Sequence, residues 1–358
     1  MSKILHIANF NQLKTKGCSQ NATQQKITNG LIRNGHQVIN YSDRDMCRML
    51  GFGSMNIYGK KKLNEHLLKF CRNIEPDGLI IGHADTVKTD TLLKIKEDFP
   101  RLKILEWNVD AIAMSADEHS NQDALYNLKK LKSKQAAVDI LLITTAAKDF
   151  LQPLKTPTNK VGYLPNPVDK SIETAKSFQE KHLPYDLFFA CNPLLKRQFC
   201  GTFTAVDTIT KDILSAVPDL QALFAGIKDS PKLSGAKYQK AFSSCAMGFN
   251  LSHINDAYLY SSDRLAHMIG NGLLVFVDRR TGFNDLFAED EMAFYETPQE
   301  LYEKIAYFKN NPEKRMENAR KGYEKYYSLF NEQIIGKYIT DLLFTDFNPS
   351  AYPFPTLI

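Results

Sequence analysis

The residues best suited to chemistry lie in one stretch, Tyr260-Ser261-Ser262-Asp263-Arg264-Leu265-Ala266-His267-Met268-Ile269-Gly270-Asn271-Gly272. Ser262 is an N-cap residue type and Asp263 follows it in the first turn, while Leu265, Met268 and Ile269 have the i, i+3, i+4 spacing of a buried helix face. A helix N-terminus offers unpaired backbone N–H groups and a partial positive charge. Ser261 and Ser262 add hydroxyls there, and Arg264 adds a planar guanidinium fork suited to phosphate. His267 stands three residues after Arg264 and shares its face of the helix. The expected chemistry is diphosphate binding, against the plainer reading of a capped helix with a surface arginine.

Other positions complete a candidate site. Lys196 and Arg197 follow an expected strand at 185–190 and could neutralise charge building on a leaving diphosphate. Lys228 follows another at 220–225. A base is needed wherever a hydroxyl attacks, and Asp110 and His83 each follow an apolar strand, where a carboxylate or imidazole could take its proton. Asp110 is equally suited to capping a turn, and His83 to an ordinary loop. Gly17, in the loop after the first strand, would let backbone approach a substrate, or serve as a plain turn residue.

The elements that position these residues alternate. Strands are expected at 3–9, 36–41, 78–82, 102–107, 138–144 and 161–164, with helices at 24–34, 63–74, 91–99 and 124–137 between them. The pattern pauses at 166–184 and restarts, with strands at 185–190, 220–225, 247–251 and 273–277 and helices at 203–217, 238–244, 262–270, 299–310, 313–327 and 332–343. Apolar, non-alternating strands alternating with helices imply α/β domains with parallel sheets covered on both faces. Such sheets bind ligands beyond the C-terminal ends of their strands. The expected organisation is a Rossmann-like domain at 1–168, a linker at 169–183, a second Rossmann-like domain at 184–335, and a C-terminal helix and tail at 336–358 that pack on the first domain. Two such domains imply a cleft with a nucleotide in one half and a second substrate in the other.

Composition removes several classes. A length of 358 residues accommodates two domains, with 43% hydrophobic and 24% charged residues as in an ordinary globular enzyme. A net charge of +5 does not mark a nucleic-acid binder, but it suits anionic ligands and peripheral contact with an anionic membrane face, for which Lys60-Lys61-Lys62 and the 129–134 segment are the basic runs. Both runs also read as ordinary solvated helix surface. The six cysteines form no CxxC pair, which argues against a zinc ribbon and for a reducing, cytoplasmic setting. No signal peptide is expected at the N-terminus, and no run is long enough to span a membrane. No GxSxG elbow, Walker loop or Gly-rich dinucleotide fingerprint is present. Asp43-Arg44-Asp45 matches a DxD metal motif in form, but that motif belongs to a single-domain layout. No metal and no cofactor are expected, with protein cations acting where a metal would.

The segment from Arg264 to Gly272 resembles the C-terminal signature of group 1, family 4-like glycosyltransferases of the GT-B fold, in which an Arg begins a helix and a Gly closes it eight residues later. Thr281-Gly282-Phe283 with Asp285-Leu286-Phe287 resembles the loop after the family's next strand, and Pro165-Asn166-Pro167-Val168-Asp169 is similar to its strand end before the linker. The resemblance covers roughly 160–343 and reaches the first half by pattern alone. It implies two Rossmann-like domains facing across a cleft, with a C-terminal helix crossing back. It further implies a nucleotide-sugar donor bound by the second domain through Arg264, Ser261, Ser262, His267, Gly272 and a basic residue after its first strand, here Lys196 or Arg197. It implies as acceptor a saccharide or lipid-linked hydroxyl in lipopolysaccharide or capsule synthesis, at the inner face of the membrane. One departure stands out: the family's retaining members carry a Glu where this chain has His267, and Leu259 stands where another acid is common. Donor identity and stereochemistry therefore stay open. A sugar-nucleotide epimerase or hydrolase of the same fold, or a non-catalytic binding member, are the alternatives.

Overall fold

The structure is a computed structural model and describes residues 1–14, 22–82, 84–112, 122–194 and 196–358. Its described residues fall into two compact units, one comprising those up to Ile112 with Gln122–Pro167 and Glu332–Ile358, the other Val168–Asn331.

The first unit is built on β1 (Lys3–Ala8), α1 (Thr23–Arg33), β2 (Gln37–Ser42), α2 (Asp43–Leu50), α3 (Ile57–Ile74), β3 (Gly78–Gly82), α4 (Thr89–Asp98), β4 (Lys103–Asn108), α5 (Gln122–Lys134), β5 (Ile140–Ile143), α6 (Lys148–Leu151) and β6 (Lys160–Tyr163). All six strands are parallel, in the order β2-β1-β3-β4-β5-β6. Central strands are buried throughout, as in the GLIIG of β3 and the ILLI of β5, because helices cover both faces. Helix α2 was not expected: it is short and opens with the polar Asp43-Arg44-Asp45. Within the unit Thr86 Oγ1 donates to Asp43 Oδ2 at 2.7 Å and the Gln12 backbone N–H donates to Asp45 Oδ2 at 2.7 Å, while Asp43 Oδ1 is buried without a partner.

A directional polar chain runs through this core. Trp107 Nε1–H donates to His6 Nε2 at 3.2 Å, which fixes the proton on His6 Nδ1. That proton goes to Thr28 Oγ1 at 2.9 Å, and the Thr28 hydroxyl donates to Asn40 Oδ1 at 2.9 Å. His6 is fully buried, and burial lowers its pKa from 6.5 to about 3. The unfolded chain protonates His6 below pH 6.5 while the native chain does not. The stability it contributes is therefore complete above pH 6.5 and drains as pH falls toward 3. Between pH 6.5 and 4.5 the loss is expected to be about 2 kcal/mol. Denaturant titrations at the two pH values, followed by the fluorescence of Trp107, the single tryptophan of the chain, should show this loss. In His6→Asn it should be smaller by most of that amount; an unchanged pH dependence would sink the assignment.

The second unit continues with β7 (Tyr185–Ala190), the hairpin β8 (Arg197–Phe199) and β9 (Thr202–Thr204), α7 (Val206–Ala216), β10 (Ala222–Ala225), α8 (Ala236–Ser243), β11 (Cys245–Phe249), α9 (Asp263–Gly270), β12 (Leu274–Asp278), β13 (Ala293–Tyr295), α10 (Pro298–Asn310) and α11 (Pro312–Phe330). Its five-stranded sheet is parallel, in the order β10-β7-β11-β12-β13. The stretch at 169–183 expected as a linker is instead packed into this unit. Glu173 and Ser177 are buried, and Ser177 N donates to Asn271 O at 2.9 Å.

The chain then returns to the first unit as α12 (Glu332–Phe344), which lies against α1 and takes an ion pair from Arg33 to Glu332 at 2.6 Å. The two helices cross at backbone contact through glycines. A Cβ on Gly30 would stand 1.8 Å from the Glu332 carbonyl oxygen, and one on Gly336 would stand 2.7 Å from the Gly30 carbonyl carbon. The tail then pairs antiparallel with the edge strand β6: Tyr163 N donates to Thr356 O at 2.9 Å and Ile358 N to Val161 O at 3.0 Å. Tyr352 and Phe354 are buried around Tyr338.

Candidate anion-binding site

In the second unit the chain makes β7, moves outward to β10, then returns across β7 to make β11. The loops leaving β7 and β11 diverge at that reversal, which is where open α/β sheets hold ligands. A cavity of about 340 Å³ opens there, lined by Cys191 and Asn192 after β7, Lys232 after β10, Tyr238 of α8, and Asp263 and Arg264 of α9.

Arg264 is held from two sides. Its guanidinium lies over the Phe189 ring, 6.0 Å from the centroid, and one terminal nitrogen donates to Leu251 O at 3.0 Å. Arg197 opens β8, and its charge acts on the Cys191 thiol. Its pKa is lowered, by burial first and then by the charge of Arg264, so the two guanidinium groups feel each other. Among the described residues neither has a carboxylate partner, and the Nε of each is buried without a hydrogen bond. Two like charges near one another repel. A dianionic group between them would turn that repulsion into charge-assisted, bidentate hydrogen bonds.

Further unsatisfied groups gather nearby in the sequence of the same strand end. Asn250, the residue after β11, is fully buried, and both its side-chain oxygen and its nitrogen lack partners. Ser262, the N-cap of α9, has a buried hydroxyl with no partner, while its N–H donates to Ser252 Oγ at 3.1 Å. Buried polar atoms in folded proteins are nearly always hydrogen-bonded, so such a group calls for a partner from outside the chain, a water or a ligand. Burial pushes the Cys191 thiol up, against the opposing charges of Arg264 and Arg197, which keeps it a protonated thiol at neutral pH. Burial also raises the Tyr238 hydroxyl, so this wall of the cavity is uncharged.

Several expected site residues lie elsewhere. His267 is buried, not presented to the cavity: its Nδ1–H donates to Glu173 Oε1 at 3.0 Å and its ring stacks on Phe242 at 6.3 Å. It anchors α9 to the 169–183 segment. Gly272 lies at the opposite end of α9, at φ +83°, where a Cβ would stand 2.6 Å from the Phe178 ring, so it is a packing and turn glycine. Lys196 and Lys228 are exposed and do not line the cavity, whereas Lys232 does. Ser261 is buried beside the N-cap. Asp110 is exposed after β4, in a turn where its N–H donates to Asn108 Oδ1 at 3.3 Å and its carbonyl accepts from Asn108 Nδ2 at 3.0 Å. His83 and Gly17 lie outside the described residues. Among the described residues, no three His, Cys, Asp or Glu side chains gather where they could hold a metal.

Arg264 and Arg197 are thus brought together from the expected set. Asn250, Cys191, Lys232 and Tyr238 were missed. Asn250 carried the one available signal, a polar residue immediately after a fully apolar strand.

Comparison with known proteins bears on the fold. Residues 201–332 match the family model described as "Glycosyl transferase-like". No curated protein matches the chain in sequence. Among solved structures, Anabaena Alr3699/HepE in complex with UDP-glucose superposes with a TM-score of 0.57 at 14% identity, over 96% of this chain and 99% of that one. The N-terminal domain of Candida albicans trehalose-6-phosphate phosphatase gives 0.55 at 10% identity, over 96% of each chain. A UDP-forming α,α-trehalose-phosphate synthase from Burkholderia xenovorans gives 0.55 at 9%, over 96% and 99%. At these identities the likeness is one of fold.

Proposed function

We propose that this chain, a GT-B protein by fold with a glycosyl transferase-like segment in its second unit, transfers a sugar from a nucleotide-sugar donor to a hydroxyl of a saccharide or lipid-linked acceptor. The observation that carries the reading is the Arg197–Arg264 pair, without an acid partner among the described residues, beside a cavity at the strand reversal. In the proposed reaction the bond from the sugar C1 to the donor diphosphate breaks, and the diphosphate leaves with the bonding electrons. A new C1–O bond forms to the acceptor, whose proton passes to a base, for which Asp110 is the described candidate. Arg197 and Arg264 stabilise the charge that grows on the leaving diphosphate, a role a metal ion fills in other enzymes. Ser262 and the first turn of α9 complete its coordination. A hexose donor and an acceptor in surface-polysaccharide synthesis are the finer parts of the proposal. The UDP-glucose held by the Anabaena protein makes UDP-sugars the first donors to try.

The test is a thermal-shift series with nucleoside diphosphates, CMP and their sugar conjugates. A ligand bound only to the native chain at about a hundred times its Kd adds about 2.7 kcal/mol of stability. One nucleotide family is expected to raise Tm by several degrees and to slow alkylation of Cys191, which lines the cavity. Sugar transfer with that donor should then require an acceptor. No shift with any nucleotide, and no protection of Cys191, would sink the reading; release of free sugar from donor alone would replace transfer with hydrolysis.

A further inference from the structure

The first unit carries an apolar feature outside the anion site. Among the described residues, five of the thirteen large hydrophobic side chains that stand exposed fall between Met49 and Tyr58: Met49, Phe52, Met55, Ile57 and Tyr58. Phe52 and Ile57 are each 88% exposed. Burying such side chains is normally favourable, and a contiguous apolar cluster on a surface marks an interaction site.

The turn that displays them is ordered. Gly51 and Gly59 meet at backbone contact, since a Cβ on Gly59 would stand 2.5 Å from Cys47 O and 2.9 Å from Gly51 Cα. Asn56 ties the turn internally: its side chain accepts from Gly59 N at 2.7 Å and donates to Gly51 O at 3.0 Å and to Ser54 Oγ at 2.9 Å. Phe52 adopts a left-handed backbone at φ +56°, a conformation that carries a cost for a bulky residue. Its ring stacks on Tyr58 at 5.8 Å, in the open. Directly behind the apolar tip stand Lys60, Lys61 and Lys62. Lys62 pairs with Glu65 at 2.8 Å, while Lys60 and Lys61 are exposed and outside the ion pairs among the described residues.

We propose that this turn docks the protein on an anionic lipid bilayer, with Phe52, Met55, Ile57 and Tyr58 entering the interface and Lys60 and Lys61 meeting lipid phosphates. Charge complementarity selects the partner: an apolar tip with a basic rim matches a negatively charged membrane surface. Size points the same way. The tip is one convex turn, where a stable protein interface takes about 20–30 residues a side. A bilayer needs no complementary shape.

The position has a use. Helix α2 starts where β2 ends, and α3 runs back to the start of β3, so the turn between them lies at the C-terminal edge of the first sheet. Asp110, after β4, lies at the same edge. A membrane docked there would present a lipid-linked acceptor to this edge; that consequence rests on the transferase reading, whereas the docking does not.

Flotation of the full chain with vesicles tests it, using phosphatidylcholine alone and phosphatidylcholine with one third phosphatidylglycerol. Binding is expected to the anionic vesicles at low salt and to be lost at high salt. Lys60→Glu with Lys61→Glu should weaken partitioning by about thirtyfold or more. Phe52→Ser with Ile57→Ser should weaken it by at least about tenfold. Both pairs are exposed, so unchanged melting and unchanged nucleotide shifts would confirm intact folding. Absence of binding to anionic vesicles, or equal binding to neutral ones, would overturn the proposal. So would self-association in sedimentation that Phe52→Ser with Ile57→Ser abolishes without any vesicle binding, because the partner would then be a second copy. Vesicle binding without any nucleotide response would leave docking standing and remove only the transferase reading.

Discussion

Arg264→Met is expected to remove the response to a nucleoside diphosphate while leaving the ligand-free chain about as stable as before. The two effects separate because Arg264 sits beside a second guanidinium. Methionine keeps most of the stem that packs over Phe189 and loses one hydrogen bond to Leu251 O, worth about 1 kcal/mol. Against that loss it relieves the repulsion with Arg197 and the burial of an unsatisfied Nε. Binding has no such compensation. Removing one partner of a desolvated, hydrogen-bonded charge pair typically costs about 2–5 kcal/mol, or about thirtyfold to several-thousandfold in Kd. Titration calorimetry with the nucleotide found by thermal shift, alongside urea denaturation of the ligand-free protein, reads both quantities. Arg197→Met should behave in the same way, and the double variant should lose less than the sum, since the two act on one anion. Unchanged nucleotide affinity in Arg264→Met would place the anion elsewhere.

The second large effect concerns Gly30. A glycine in a helix interior is ordinarily improved by alanine, by about 1 kcal/mol. Here the sign is expected to reverse. The added methyl would stand 1.8 Å from the Glu332 carbonyl oxygen, which belongs to the backbone and cannot rotate away. Either α1 and α12 separate or α12 leaves, taking with it the Arg33–Glu332 ion pair and the buried face of Ile335, Tyr338, Ile339 and Leu342. The net cost should be about 3 kcal/mol or more, at the upper end of overpacking penalties because the obstacle is backbone. Trp107 lies in the same unit, so its fluorescence in urea reports the loss directly. A gain near 1 kcal/mol would mean that the helices do not touch in solution.

What could be read from the sequence follows from the range of the interactions involved. Strands such as β3 and β5 announce themselves by an unbroken apolar run, and Arg264 by a cap, a first-turn charge and a closing glycine, all local signals. The partnership of Arg264 with Arg197 is not local. It arises because β10 is laid down on the far side of β7, so that β11 returns beside β7 and brings α9 back to the hairpin after it. His267 was misread for the same reason: its partner, Glu173, comes from a stretch whose polar composition looked like a linker. Gly272 has the right spacing from Arg264, but spacing does not reveal that Phe178 fills the room above it. The three-residue strands β8, β9 and β13 are too short to show a period. Helix α2 hides behind its polar first turn.

The return of residues 332–358 to the first unit also sets an order of events during synthesis. The described residues of the second unit form one continuous stretch, Val168–Asn331, and have all been made before α12 appears. The first unit is discontinuous. Until residues 332–358 have emerged, Gly30 has no helix to cross, β6 has no strand on its outer edge, and the apolar surfaces beneath them stay open to water. The usual N-terminal-first order of domain folding on the ribosome is therefore reversed for completion. The unit begun first is finished last, after the other has been made. During that interval the unfinished sheet offers an unpaired edge strand, the feature that invites aggregation and that chaperones act on.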